Sequence, residues 1–284
     1  AQKYGMRLIA GKVLMDQNCP EDLRDTPQTG YEQSKQLIEK WHGRDRLSYA
    51  VTPRFAITSS EEQLRQAGRL LKEFPDVYLH THLAENEEEV AQVARQFPWS
   101  RSYLHVYERF ELVRERSVFA HCIHMGDDDR KLMARKGAAM AFCPSSNLFL
   151  GSGLFDLQAA RRCGARVGLG SDVGGGTSLS MLPTLGDAYK VLQLKGQPLT
   201  AFGAFCLVTL GAARALHLDD MLGNLARGKE ADFVVLDASR MAITKRWSDA
   251  PADIAAKLFA LLVVGDDRVV ADVRLAGKPR RPIR

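Results

Sequence analysis

Val77-Tyr-Leu-His-Thr-His82-Leu-Ala-Glu85-Asn86 is a short apolar run that ends on a histidine and is followed three residues later by a carboxylate. Near-continuous apolar character over so few residues is the mark of a parallel strand covered on both faces. Working outward, Leu8–Met15, Leu47–Thr52, Ser117–His121, Ala138–Phe142 and Arg166–Ser171 read the same way. Segments with helical periodicity lie between them, around Tyr31–Trp41, Glu61–Phe74, Glu87–Phe97, Asp127–Arg135 and Leu154–Arg162. Two more helices are expected near Met181–Leu194 and Ala201–Leu216. Such a βαβα series predicts an α/β fold, either a barrel or an open sheet. After Gly223 the rhythm changes: Ala231–Leu236 and Val269–Leu275 read as strands of a smaller β module, with a helical stretch at Ala252–Val264 between them.

The chain has 284 residues, 45% hydrophobic and 26% charged, which is ordinary for a soluble globular protein of one large domain or two smaller ones. Thirty-nine basic against 34 acidic side chains leave a mild excess of +5. The charges are interleaved except for a short basic tail at Lys278–Arg284, so a nucleic-acid partner is not expected. No apolar run approaches a membrane span, and no signal segment is visible, so no membrane partner is expected. Cys19, Cys122, Cys143, Cys163 and Cys206 are odd in number and form no C-x-x-C pair. They read as reduced cysteines of a cytoplasmic protein rather than a disulfide framework or a zinc knuckle.

Three glycine and cysteine patterns mislead. Gly223-Asn-Leu-Ala-Arg-Gly228-Lys229-Glu230 ends on a carboxylate where a P-loop needs a hydroxyl for Mg²⁺, and it precedes a strand instead of following one. Gly168-Leu-Gly170 lacks the third glycine of a dinucleotide fingerprint, since Val173 stands there. Cys143-Pro144 reverses the Pro-Cys order of the small zinc deaminases and has no second cysteine.

The chemistry gathers at strand ends. His82 and His121 end their strands, Asp172 follows Arg166–Ser171, and Arg54 follows the strand ending at Thr52. Parallel strands put their carboxyl ends on one face, where such folds carry their sites. Two histidines and an aspartate suit a borderline cation such as Zn²⁺, and Glu85 can reach the same mouth to move protons during a hydrolysis. His80 shares the His82 side of its strand and is expected one layer deeper, packing rather than ligating. His124 falls in a loop, and His42, His105 and His217 fall on helical segments; none is assigned to the site. Glu87-Glu88-Glu89 reads as the solvated first turn of a helix.

These motifs resemble the amidohydrolase superfamily and, within it, the guanine deaminases. The resemblance rests on Gly11-Lys-Val-Leu-Met-Asp16, Thr52-Pro-Arg-Phe55, His80-Thr-His-Leu-Ala-Glu-Asn86, Ala120-His121, Cys143-Pro-Ser-Ser-Asn147, Gly168-Leu-Gly-Ser-Asp-Val-Gly-Gly-Gly176 and Gly223-Asn-Leu-x-x-Gly-Lys-x-Ala-Asp232. It implies a (β/α)8 barrel over residues 1–222 and the carboxyl-terminal part of a small β-sandwich module over 223–284. It further implies hydrolytic deamination of guanine to xanthine and ammonia by the complete protein, in purine breakdown or salvage, with one Zn²⁺ per site and Fe²⁺ as the alternative. His82 and Asp172 become metal ligands; Glu85, His121 and Asp172 become catalytic; and Arg54, Phe55, His82, Glu85 and Asp172 contact a small purine. A homodimer is implied by the resemblance alone. Other readings of these residues are deamination of a different purine, pterin or triazine, or an inactive barrel serving as a scaffold.

One departure accompanies the resemblance. The superfamily draws two more metal ligands from an H-x-H pair on its first barrel strand, and no such pair precedes Leu8. The chain also starts Ala1-Gln2-Lys3 without Met. It is therefore expected to be a fragment holding barrel strands three to eight, binding Zn²⁺ weakly and lacking turnover by itself.

Overall fold

Parallel strands need crossover helices, and those helices are specified by caps that the sequence supplies. The computed structural model describes residues 1–249 and 253–279, the last three before the gap as backbone. Ala252 and tail residues 280–284, on which two of the expectations fall, lie outside the described residues.

Strands β1 (Leu8–Ala10) and β2 (Val13–Leu14) precede helix α1 (Pro27–Trp41), which opens with Thr26 and Thr29 in a reciprocal capping box and a proline in its first turn. Then follow β3 (Leu47–Pro53), α2 (Glu61–Glu73, capped by Ser60), β4 (Tyr78–Leu83), α3 (Glu87–Gln96, capped by Asn86) and α4 (Tyr103–Arg109, capped by Ser102). Next come β5 (Ser117–His121), α5 (Asp127–Lys136), β6 (Ala139–Phe142), α6 (Pro144–Phe149), α7 (Leu157–Arg162) and β7 (Arg166–Leu169). The chain continues through α8 (Met181–Leu194), α9 (Ala201–Val208), α10 (Leu210–Ala215), β8 (Phe233–Leu236), α11 (Ala242–Asp249), α12 (Ile254–Val264), β9 (Val270–Leu275) and β10 (Lys278–Pro279).

Two compact units divide the chain: Ala1–Ala141 with Ala159–Arg166, and Phe142–Gln158 with Val167 onward. In the first, β1 and β2 both pair with β3, and β3, β4, β5 and β6 follow in order, every pair parallel. The registers Val13↔Thr52, Leu83↔His121 and Ala120↔Ala141 bring the carboxyl ends of these strands to one edge. Val51, Leu79 and Phe119 are buried in the sheet, and Leu64, Leu70 and Leu71 of α2 are buried with them.

The second unit is largely helical. α12 packs on α8 and α9, and Phe142 stacks on Phe155 with ring centroids 4.6 Å apart. A small antiparallel sheet, ordered β10-β9-β8, aligns Val234 with Val273 and shifts register between Val235 and Leu236. Val234 and Val235 are exposed. Among the described residues no helix is long and apolar enough to cross a membrane.

The α/β alternation matches the expectation, with two corrections. Leu8–Met15 is two strands, because the Lys12 N–H leaves the ladder to donate to the Tyr49 hydroxyl at 3.1 Å. Ala201–Leu216 is two helices, broken at Thr209, whose backbone (φ −123°, ψ −105°) is incompatible with a continuing helix. Helices α4, α6 and α11 have no counterpart in the sequence reading.

Candidate active site

His82 sits near the end of β4 and is fixed from behind by one carbonyl. The Arg54 oxygen accepts the His82 N–H at 3.1 Å and lies 2.7 Å from Nδ1. A carbonyl can only accept, so the ring proton resides on Nδ1 and Nε2 keeps its lone pair. Thr81 Oγ1 donates to the same carbonyl at 3.2 Å, and Arg54 N–H is itself tied to the Leu14 oxygen at 3.1 Å. Three strands thereby set one imidazole.

His121 ends β5, side by side with Leu83, and is almost wholly buried. Its ring stacks on that of His82 with centroids 5.1 Å apart, and its Nε2 lies 3.6 Å from Glu85 Oε2. The Phe55 ring lies 5.7 Å from that of His82 between centroids, tilted to it, and the Arg54 guanidinium carbon stands 5.2 Å over the Phe55 ring. Arg54, Phe55, His82, His121 and Glu85, taken from three strand ends, therefore form one contiguous array.

The backbone needed for this array is unusual. Ala84 (φ 49°), His121 (φ 72°) and Cys122 (φ 54°) are all left-handed, a conformation costing non-glycine residues about 1–3 kcal/mol each. Bonds between the two loops hold them there: Cys122 N–H donates to the Leu83 oxygen at 2.8 Å, and Ile123 and His124 N–H donate to the Ala84 oxygen at 3.1 and 3.0 Å.

Behind the array lies a polar group that the sequence reading places in solvent. Glu89, expected in a solvated turn, is 5% exposed, and its Oε2 accepts the Glu85 N–H at 3.0 Å. Burial pushes its carboxyl above the usual carboxylate range, opposed by the Tyr103 hydroxyl beside it. Asn86 caps the helix by accepting Glu89 N–H at 2.9 Å, so the third helical residue turns its side chain back over the entry loop, much as in a capping box. An asparagine cap with a glutamate three residues later was the signal available for this. Tyr107 also escaped the sequence reading; its hydroxyl donates to the His82 carbonyl at 2.9 Å and lies 3.2 Å from Thr81 Oγ1. His80 corrects another expectation. It is exposed, because alternation along β4 turns Thr81 inward.

Asp172 belongs to the second unit. It follows β7 with left-handed φ 48°, a conformation aspartate tolerates better than most residues, and its carbonyl accepts the Gly176 N–H at 2.5 Å. A Cβ on Gly175 would lie 2.6 Å from Ser146 Oγ, and one on Gly176 would run into the Ser171 carbonyl. At Gly176, where the obstacle is backbone, only glycine fits.

Donor atoms of His82, Glu85 and His121 all lie within 4.8 Å of one another. Two imidazole nitrogens and a carboxylate oxygen suit a borderline divalent cation, and the fixed His82 tautomer presents the correct nitrogen, so the residues fit a metal. Imidazoles and a carboxylate gathered at the carboxyl ends of parallel strands are a donor set able to hold a cation where such folds carry their sites. The chain belongs to the amidohydrolase family, whose model matches residues 1–280.

Relatives narrow the similarity. The guanine deaminase of Escherichia coli (strain K12) is 47% identical over 278 residues, spanning 98% of this chain and 63% of that protein. A solved structure of E. coli guanine deaminase superposes with a TM-score of 0.98 at 46% identity, covering 100% of this chain and 66% of that one. The guanine deaminase from C. acetobutylicum with guanine bound in its active site matches with a TM-score of 0.88 at 27% identity, covering 98% and 66%. The chain thus spans less than two thirds of each of these relatives.

Proposed function

We propose that the full-length protein deaminates guanine by hydrolysis, giving xanthine and ammonia. The observation that carries this reading is the array in which an arginine lies over Phe55 beside His82, His121 and Glu85, in a chain so similar to guanine deaminases. On this reading β1 and β2 together correspond to the third strand of a (β/α)8 barrel within residues 1–222, β3–β7 correspond to its fourth to eighth, and 223–284 belong to part of a small β module.

Binding comes first. The Arg54 guanidinium offers forked donors to the polar edge of an oxo-purine, and the Phe55 ring offers a face for the bicycle to lie on. His82, whose Nε2 is free of its proton, is a metal ligand, and Asp172 takes the ligand and proton-acceptor role the resemblance assigns it. The cation, Zn²⁺ by this donor set, supplies when bound a water acidic enough to ionise near neutral pH.

The protein's own groups then move protons and hold charge. Water oxygen adds to the amino-bearing ring carbon while Glu85 delivers a proton to a ring nitrogen. His121, buried against Glu85, hydrogen-bonds the oxygen of the tetrahedral adduct as charge builds on it. The carbon–nitrogen bond breaks, ammonia leaves with the transferred protons, and the ring carbonyl of xanthine remains.

Ammonia release from guanine, adenine, cytosine and a triazine tests the substrate. Guanine is expected to turn over at least about tenfold faster than the others, because an arginine fork left without its carbonyl partner forfeits a charged hydrogen bond. Equal rates on adenine would overturn the assignment of Arg54 and Phe55.

A further inference from the structure

Two hydrogen bonds grip the segment that joins His82 to Glu85, one at each end. At the His82 end, the Tyr107 hydroxyl donates to the carbonyl at 2.9 Å. At the Glu85 end, the Glu89 carboxylate accepts the N–H at 3.0 Å. Only Leu83 and Ala84 lie between, and Ala84 is the left-handed residue that turns the chain. The two grips are joined, since Tyr103 lies beside the Glu89 carboxylate and stacks on Tyr107 with ring centroids 5.6 Å apart. All three side chains are buried.

A carboxylate is a costly group to bury, and a helix needs none at this position, because Asn86 already caps α3. What the side chain adds is an acceptor oxygen for one particular backbone amide. That amide belongs to the residue which moves the proton, and its direction sets where the Glu85 side chain leaves the main chain. We propose that Glu89 is a positioning residue: its buried carboxylate, backed by Tyr103 and Tyr107, holds the Glu85 backbone so that the Glu85 carboxyl faces the reacting ring. The inference rests on the catalytic reading of Glu85, but its structural half stands apart from it.

The test uses Glu89→Leu, which removes the acceptor, and Glu89→Gln, which keeps an amide oxygen in the same place. Two quantities are measured on each folded variant: hydrogen exchange at the Glu85 amide, and kcat and KM for guanine. Glu89→Leu is expected to speed Glu85 exchange at least about tenfold and to lower kcat about 10²-fold, as for a reacting group displaced by an ångström, with KM nearly unchanged. Glu89→Gln is expected to restore protection and most of kcat. Wild-type exchange and kcat in Glu89→Leu would overturn the proposal. So would Glu89→Gln losing kcat as fully as Glu89→Leu, or a loss confined to KM. If Glu89→Leu fails to fold, Tyr107→Phe, which removes the other grip, is expected to speed Glu85 exchange, and unchanged exchange there overturns the clamp. A full-length wild-type protein inert toward guanine would sink the functional reading alone, because the exchange measurement needs no substrate.

Discussion

Three strand-end loops, two in the first unit and one in the second, solve the same problem in different ways. Residues 83–85 and 121–124 of the first unit and residues 171–176 of the second all leave a parallel strand through left-handed, non-glycine backbone. In the first unit that strain is held by hydrogen bonds from one loop to the other, and by a buried carboxylate and a buried tyrosine behind them. In the second it is held by emptiness, since Gly175 and Gly176 bring the backbone within reach of Ser146 and Ser171. A loop held by backbone bonds tolerates changes to its side chains. A loop held by the absence of a side chain tolerates none at the glycine.

The largest effect expected from this difference is in activity without stability. Glu85→Gln keeps the shape of the side chain and leaves its backbone N–H bonded to Glu89. Turnover of guanine should fall 10²–10⁴-fold, roughly 3–5 kcal/mol in the barrier, while the melting temperature stays put. Full-rate deamination by this variant would remove Glu85 from the mechanism. A large drop in melting temperature would show that the first loop depends on its side chains after all.

Gly176→Ala is the opposite case. Its Cβ would meet the Ser171 carbonyl, a backbone atom that cannot swing away, so the loop must shift. A cost of about 1–3 kcal/mol is expected in urea unfolding, with no charge or hydrogen-bonding group removed. A variant as stable as the parent would mean that the loop has slack, and the contrast between the two units would lapse.

How much of this was legible in the sequence follows the same division. β3, β4, β5 and β6 lie within a residue or two of their expected bounds, because apolar runs between well-capped helices have few other ways to be buried. Arg54, His82 and His121 are legible as strand-end residues, Glu85 as a carboxylate beside the same mouth and Phe55 only through the resemblance, and the structure brings these five together. The errors arise where a long-range partner decides. The Lys12 N–H is captured by Tyr49, and nothing near Lys12 in sequence announces that. Glu89 looked like the third of three solvated acids, and its burial depends on α4 supplying Tyr103 beside it. His80 was expected in a deeper layer and is exposed. Periodicity locates a strand and its two faces, but not how far each face is covered.

The smallest effect checks that pH acts on the first unit's scaffold separately from its loops. Glu73 at the end of α2 accepts the Tyr31 hydroxyl at 2.7 and 2.8 Å, Lys35 Nζ at 2.9 Å and Arg69 Nε at 2.9 Å. The Tyr31 bond first, then Lys35 and Arg69, lower its carboxyl from 4.5 to about 2. A depressed carboxylate stabilises the fold in full above its unfolded pKa, and that contribution is lost as pH falls through the folded value. The stability gap between the parent and Glu73→Gln should therefore be constant from pH 7 to about pH 5 and shrink steadily between about pH 4.5 and 2. Its size is expected to stay below about 1 kcal/mol, because Glu73, Lys35 and Arg69 are partly exposed and water screens them. Thermal melts at pH 7 and pH 3 measure it. A gap that widens on acidification would show that the Tyr31–Glu73–Lys35 cluster favours the protonated carboxyl, and that the acid response of this unit originates elsewhere, at the strand-end loops.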